Sequence, residues 1–218
     1  MNDYYDLGNH SRPVTTDSTE AQRWFDRGLM WLYGYNHDAA VDCFKQVASY
    51  DASCVMAQWG IAYGVGCNYN KEWNVFTPKM IARTMKQARA AIYQGYAHLD
   101  RATDVEAALI QALEKRFQAE GAHEEAVLEG WNDEYADAMR LVYQAHPDDW
   151  DVAALFAEAL MNRTPWQLWD LKTGQPAEDA DTFTGLTRLC ENFNPVNPVN
   201  LVYLLRRSIK KKGWRPHA

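Results

Sequence analysis

The chain has 218 residues, 47% of them apolar, and a formal charge of -7 at neutral pH. That is enough apolar material to bury a sizeable core in one domain or a short repeat array, and it excludes a disordered chain. The acidic balance argues against a general nucleic-acid binder, because phosphate recognition draws on clustered Lys and Arg.

No apolar run approaches the roughly 20 residues that cross a bilayer. The opening "MNDYYDLGNH" has neither the basic nor the apolar region of a secretory signal. A cytoplasmic protein with no membrane partner is therefore expected. Four cysteines, Cys43, Cys54, Cys67 and Cys190, form no CxxC pair, and reduced thiols are the expectation.

Gly and Pro are scarce from residue 20 to 160, and apolar residues recur at helical spacing with no sustained alternation. The pattern predicts an all-α chain with helices at 19–33, 37–50, 54–65, 78–98, 104–120, 123–144 and 149–162, and another at 181–192. Asp17 in "DSTE" and Thr77 before Pro78 are the expected caps. The chain divides into an extension at 1–17, a helical repeat domain at 18–192 and a basic tail at 193–218, whose "RRSIKKK" reads as solvated charge.

With Ala21 as the first position of a 34-residue unit, Trp24 falls at position 4, Gly28 at 8, Trp31 at 11, Ala40 at 20 and Phe44 at 24. Small residues at 8 and 20 let two helices approach, and large ones fill the gaps. A second unit begins at Val55, with Ala62 at position 8, and a third at Trp150, with Ala157 there. Between them lie the long loop "CNYNKEWNVFTP", the longer helices of 78–144 and the loop "RTPWQLWDLKTGQP". The architecture expected is antiparallel helix hairpins of a tetratricopeptide-like α-solenoid with long inserted helices and loops.

The stretches "HSRPVTTDSTEAQRWFDRGLMWLYGYNHDAAVDCF", "CVMAQWGIAYGVGCNYNKEW" and "HPDDWDVAALFAEALMNRTPWQLWDLKTGQP" together resemble a family of bacterial and fungal tetratricopeptide repeat domain proteins. The resemblance implies the fold and no particular activity. Longer members continue with histidine-bearing segments, where this chain has "NFNPVNPVNLVYLLRRSIKKKGWRPHA", so it resembles a C-terminally truncated member.

In such a hairpin the first helix lines a concave groove. That places Gln22, Phe25, Leu29, Leu32 and Tyr33, then Met56, Trp59, Tyr63 and Cys67, then Asp151, Glu158 and Asn162 on one binding face. The "YNH", "NYNKEW" and "PWQLWD" segments all follow first helices, so they are expected on one edge. There Asn36, His37, Asn68, Asn70, Lys71, Trp73, Trp166, Trp169 and Asp170 would form the rim of a pocket over Trp59 and Tyr63. Lys71 would meet an acceptor or anionic group on the ligand. Equally open is a reading in which the aromatics are core and the asparagines shape turns.

His37, Asp38, His146 and Glu158 are metal-ligand types without metal-ligand spacing, so no cofactor is expected. Glu124 and Glu125 read as charges complementing a helix start, and no catalytic fingerprint occurs. The sequence thus leads to a repeat scaffold binding a protein segment or small organic ligand through groove and loop edge. The alternative is an enzyme, or its remnant, with a loop-built pocket that works with or without a metal.

Overall fold

The computed structural model describes residues 5–168 and 172–173. Among these the chain is all-helical, with no strand: α1 (Thr19–Tyr33), α2 (His37–Tyr50), α3 (Val55–Gly64), α4 (Pro78–Tyr96), α5 (Asp104–Arg116), α6 (Glu125–Ala145) and α7 (Trp150–Met161), plus single 3-10 turns at Trp73–Val75 and Leu99–Arg101. The helix expected at 181–192, the basic tail, Cys190, Trp169 and Asp170 lie outside the described residues. No described helix is long and apolar enough to cross a membrane.

Local chemistry sets the helix ends. Ser18, not Asp17, caps α1, its hydroxyl accepting from the Ala21 N–H at 3.2 Å; a serine oxygen at the cap position reaches an unsatisfied first-turn amide. Thr77 caps α4 ahead of Pro78 as expected, and Thr103 with Glu106 forms a reciprocal capping box on α5. In the "YNH" turn Tyr35, rather than Asn36, takes the left-handed conformation (φ 59°). Asn36 is freed to cap α2, its side-chain oxygen accepting from the Ala39 N–H.

Consecutive helices pack as neighbours, α1 with α2, α3 with α4 and α5 with α6, while α2 and α5 also pack on α3. Glycines permit the closest approach. The Phe44 ring of α2 sits between Gly28 of α1 and Gly60 of α3: a Cβ on Gly28 would lie 2.7 Å from Phe44 Cε1, and one on Gly60 2.5 Å from Cδ2. Phe25 and Trp59 meet the same ring at centroid distances of 5.5 and 6.4 Å.

The face expected to be an open groove is covered by α7. Every residue of α7 after Trp150 is buried. Its carboxylates meet hydroxyls of the supposed groove: Tyr33 donates to Asp151 Oδ1 at 2.5 Å and Tyr63 to Glu158 Oε2 at 2.6 Å. Phe25, Leu29, Leu32, Met56 and Trp59 are core. A helix this apolar all round cannot remain on a surface; α7 packs along α6 and meets α1 and α3 through these two hydrogen bonds.

The segment expected as an extension is bonded into the helices. Arg12 makes a bidentate pair with Asp149 (2.6 and 2.8 Å) and reaches Asp151 Oδ2 at 3.2 Å. The Thr15 N–H and hydroxyl donate to the two oxygens of Glu106. Thr16 donates to Asp51. One strap thereby ties α1, α5 and α7 together.

Candidate functional site

Where the inner ends of α3, α5, α6 and α7 meet, polar groups collect inside the core. Arg116, on the apolar stripe of α5 with Leu109 and Leu113, is fully buried. Its Nε donates to Asn132 Oδ1 of α6 at 3.1 Å, and its Nη2 donates to Cys67 Sγ at 3.4 Å. The guanidinium lies 4.8 Å from the Tyr135 ring centre and 5.7 Å from that of Tyr63. From α7, Glu158 accepts from Tyr63 through one oxygen and from the Asn162 amide through the other, each at 2.6 Å.

A guanidinium out of water costs several kcal/mol unless its charge is answered. Here the answer is two ring faces, one amide oxygen, one thiol and the field of Glu158. Burial pushes the Cys67 thiol up despite the nearby Arg116 charge, so the thiol is neutral. Burial also raises the Tyr63 hydroxyl, reinforced by Glu158. Four atoms of this region are buried without a hydrogen-bond partner: Arg116 Nη1, Tyr135 Oη, Tyr35 Oη and Asn162 Oδ1. Unpaired buried polar atoms are uncommon and call for an explanation in a bound water or ligand.

Two concavities adjoin the cluster. A small void of about 10 Å³, near the size that holds one water, lies between Tyr33, Tyr35, His37, Tyr63 and Glu158. A larger cavity of about 420 Å³ opens at the loop edge. Cys67, Asn132 and Asn162 connect its lining to the cluster, and it is lined further by Asn68, Glu72 and Trp73 of one loop, Glu125, Glu129 and Asp133 of α6, and Arg163, Thr164 and Gln167 after α7.

The three loops do share an edge, but their residues divide between environments. His37 Nδ1 and the Asn68 amide are 3.3 Å apart, which joins the first loop to the second. Tyr69 and Trp166 join the second to the third with ring centres 4.9 Å apart. Asn68, Trp73 and Asn162 line the 420 Å³ cavity.

His37 and Lys71 instead line a groove between α2 and α4, reached from Asn68's other side, and the Lys71 ammonium sits 4.5 Å over the Phe76 ring. Lys71 is therefore no anion anchor for the loop-edge cavity. Asn36 and Asn70 are exposed, and the Asn70 N–H closes a turn on the Asn68 side chain. Trp166 is half exposed, with φ 60°. Trp59 is wholly core and not a pocket floor, while Tyr63 is buried between the small void and the polar cluster. Tyr33 and Glu158 are engaged by hydrogen bonds across the α7 interface.

His37 is held uncharged. Burial, then the Arg116 charge, pushes its pKa down to about 4, and its ring stacks with Tyr35 at 6.2 Å and an interplanar angle of 7°. His37, Asp38, His146 and Glu158 do not converge: among the described residues no group of three or more His, Cys, Asp or Glu side chains is placed to hold a metal ion.

Arg116, Asn132 and Tyr135 were not singled out in the sequence. The signal is present, however, because each falls in register with a buried apolar stripe, Asn132 and Tyr135 following Leu128 and preceding Met139 on α6. No protein-family model, curated protein or solved structure matches this chain.

Proposed function

We propose that the chain is a non-catalytic helical scaffold of tetratricopeptide-like hairpins that binds a small polar ligand in the loop-edge cavity. The observation that carries this reading is Asn162. It stands on the wall of a 420 Å³ cavity, is 5% exposed, and has an Oδ1 with no donor. Cavities of a few hundred Å³ with a small number of fixed polar groups are the usual form of small-molecule sites.

The solenoid arrangement draws support from the paired helices and from Gly28, at a close-packing position, against Phe44. A protein segment laid along the α1 and α3 face has less support, because α7 already occupies that face. An enzyme is also less well supported. The Cys67 thiol is pushed up by burial, and both Glu158 oxygens accept hydrogen bonds, which leaves the cluster short of an activated nucleophile or free base.

Crystals soaked with a set of small organic compounds test the site. Ordered density against Asn162 and Trp73 is expected. Density confined to other surfaces, with only water in this cavity, would overturn the assignment.

A further inference from the structure

We infer that the outer face of α4 docks, antiparallel, on the outer face of α6 of a second copy of this chain. The surface does not depend on the loop-edge cavity being a ligand site.

The outward stripe of α4 runs through Lys79, Arg83, Lys86, Ala90 and Tyr93, at steps of four, three, four and three residues, on the side away from its buried Ile81, Met85, Ala88 and Ile92. The outward stripe of α6 runs through Val127, Gly130, Glu134, Asp137 and Leu141, away from its buried Leu128, Tyr135, Met139 and Val142.

Neither stripe is answered within the chain. Arg89 of α4 is turned to the Phe117 and Gln118 carbonyls, but Lys79, Arg83 and Lys86 have no ion pair among the described residues, and α4 contains no acidic residue to offset them. Like charges three and four residues apart weaken the helix that carries them. Glu134 also lacks an ion pair there, and Asp137 has only Arg140, at 3.9 Å and in the open. Tyr93, Val127 and Leu141 are 52, 44 and 66% exposed.

Gly130 is an independent observation on the same face. A glycine in mid-helix weakens α6, and a Cβ at this position would meet nothing packed against the helix within 4 Å. No neighbour inside the chain calls for a glycine here, whereas the close passage of a second helix does.

The stripes match in one orientation. Set antiparallel, the spacing of one superposes on that of the other over about 21 Å of axis. Arg83 then meets Asp137, Lys86 meets Glu134, Ala90 meets Gly130 and Tyr93 meets Val127, while the Lys79 stem lies over Leu141. Opposite charges, small residues and apolar residues each find their own kind of partner. Set parallel at the same spacing, Arg83 would face Val127, Ala90 Glu134 and Tyr93 Asp137. Both stripes face solvent in a single copy, so the pairing needs a second one. One helix pair is a small interface, and the association is accordingly weak.

Sedimentation of the full chain up to ~0.5 mM, where weak affinities register, tests this with two charge-reversed variants: Arg83→Glu with Lys86→Glu, and Glu134→Lys with Asp137→Lys. Circular dichroism checks that each is folded. The parent should self-associate. Each variant alone should associate at least about tenfold more weakly, and an equimolar mixture of the two should regain the parent's behaviour, because the acidic α4 of one then meets the basic α6 of the other. Gly130→Gln should raise the urea midpoint while weakening association about tenfold, two changes that a merely local glycine would not combine. A parent that stays monomeric would overturn the inference. So would association that survives reversal on α4, which would give the α6 face to the basic residues at 206–212 instead. Folded variants that fail to associate when mixed, or a Gly130→Gln chain that associates as the parent does, would overturn the register.

Discussion

Gly60 offers the most direct test of the packing. An alanine in the middle of α3 should by itself stabilise that helix by about 1 kcal/mol, since glycine is the weaker helix former. The added Cβ would stand 2.5 Å from Phe44 Cδ2, nearly 1 Å inside ordinary contact. The ring cannot withdraw, because its far side rests on Gly28, where a Cβ would already be 2.7 Å from Cε1. Overpacking of a tight core costs about 1–3 kcal/mol, and a ring held from both sides belongs at or above the upper end. The net expectation for Gly60→Ala is a loss of about 2 kcal/mol, read as a lower midpoint in urea at unchanged slope. Phe44→Leu should relieve the clash, so the double variant should be more stable than the sum of its parts by about 1–2 kcal/mol. A Gly60→Ala protein that is more stable than the parent, with additive behaviour in the double variant, would refute the wedged ring.

Three further outcomes follow from the polar links. Arg12→Ala leaves Asp149 and Asp151 without their cation and should cost about 3–5 kcal/mol, with limited proteolysis cutting first ahead of residue 15; an intact strap would contradict the bonding described. As pH rises above 6.5 stability should fall as His10 titrates. Its pKa is raised above 6.5, chiefly by the hydrogen bond to Asp151, so its contribution is full below the unfolded value and is lost as pH rises through the folded one; His10→Gln should remove that slope in urea midpoints. His37 works in the opposite sense. Its folded pKa of about 4 lies below the unfolded 6.5, so its contribution is present above 6.5 and is lost as pH falls toward 4. His37→Gln should flatten the acid limb between those values, and an unchanged limb would mean that His37 is not held neutral.

The helices were legible in the sequence because their determinants are local. Thr77–Pro78, Thr103 with Glu106, and the apolar spacing along α1, α2 and α4 act within a turn or two of the residue concerned. The cap on α1 moved by one residue because both Asp17 and Ser18 can serve, and only the chain's path selects between them.

The site was less legible, since its formation depends on where α7 lies. Repeat register placed Tyr33, Tyr63, Asp151 and Glu158 on one face, and they do meet; spacing alone could not say that they meet one another rather than a ligand. The first loop touches the second through His37 and Asn68, and the second touches the third through Tyr69 and Trp166, yet Asn68 borders both the groove that holds Lys71 and the cavity that holds Asn162. Arg116 was not singled out in the sequence, although its register with Leu109 and Leu113 marks it as facing inward.

The bidentate Arg12–Asp149 pair joins residues 137 positions apart. In an open array of repeats each unit leans only on its neighbours, so units can be gained, lost or melted one at a time. A bond spanning that distance makes the described helices a closed circuit. During synthesis α1 and α2 can pair early, but Tyr33 and Tyr63 have no carboxylate to meet, and Arg12 has no Asp149, until α7 has left the ribosome. Loop closure over so long a stretch is a late event whose entropic cost grows only slowly with length. The length between Arg12 and Asp149 is thereby indivisible: adding or deleting one helical pair, harmless in a simple array, would throw α7 out of register with both tyrosines at once.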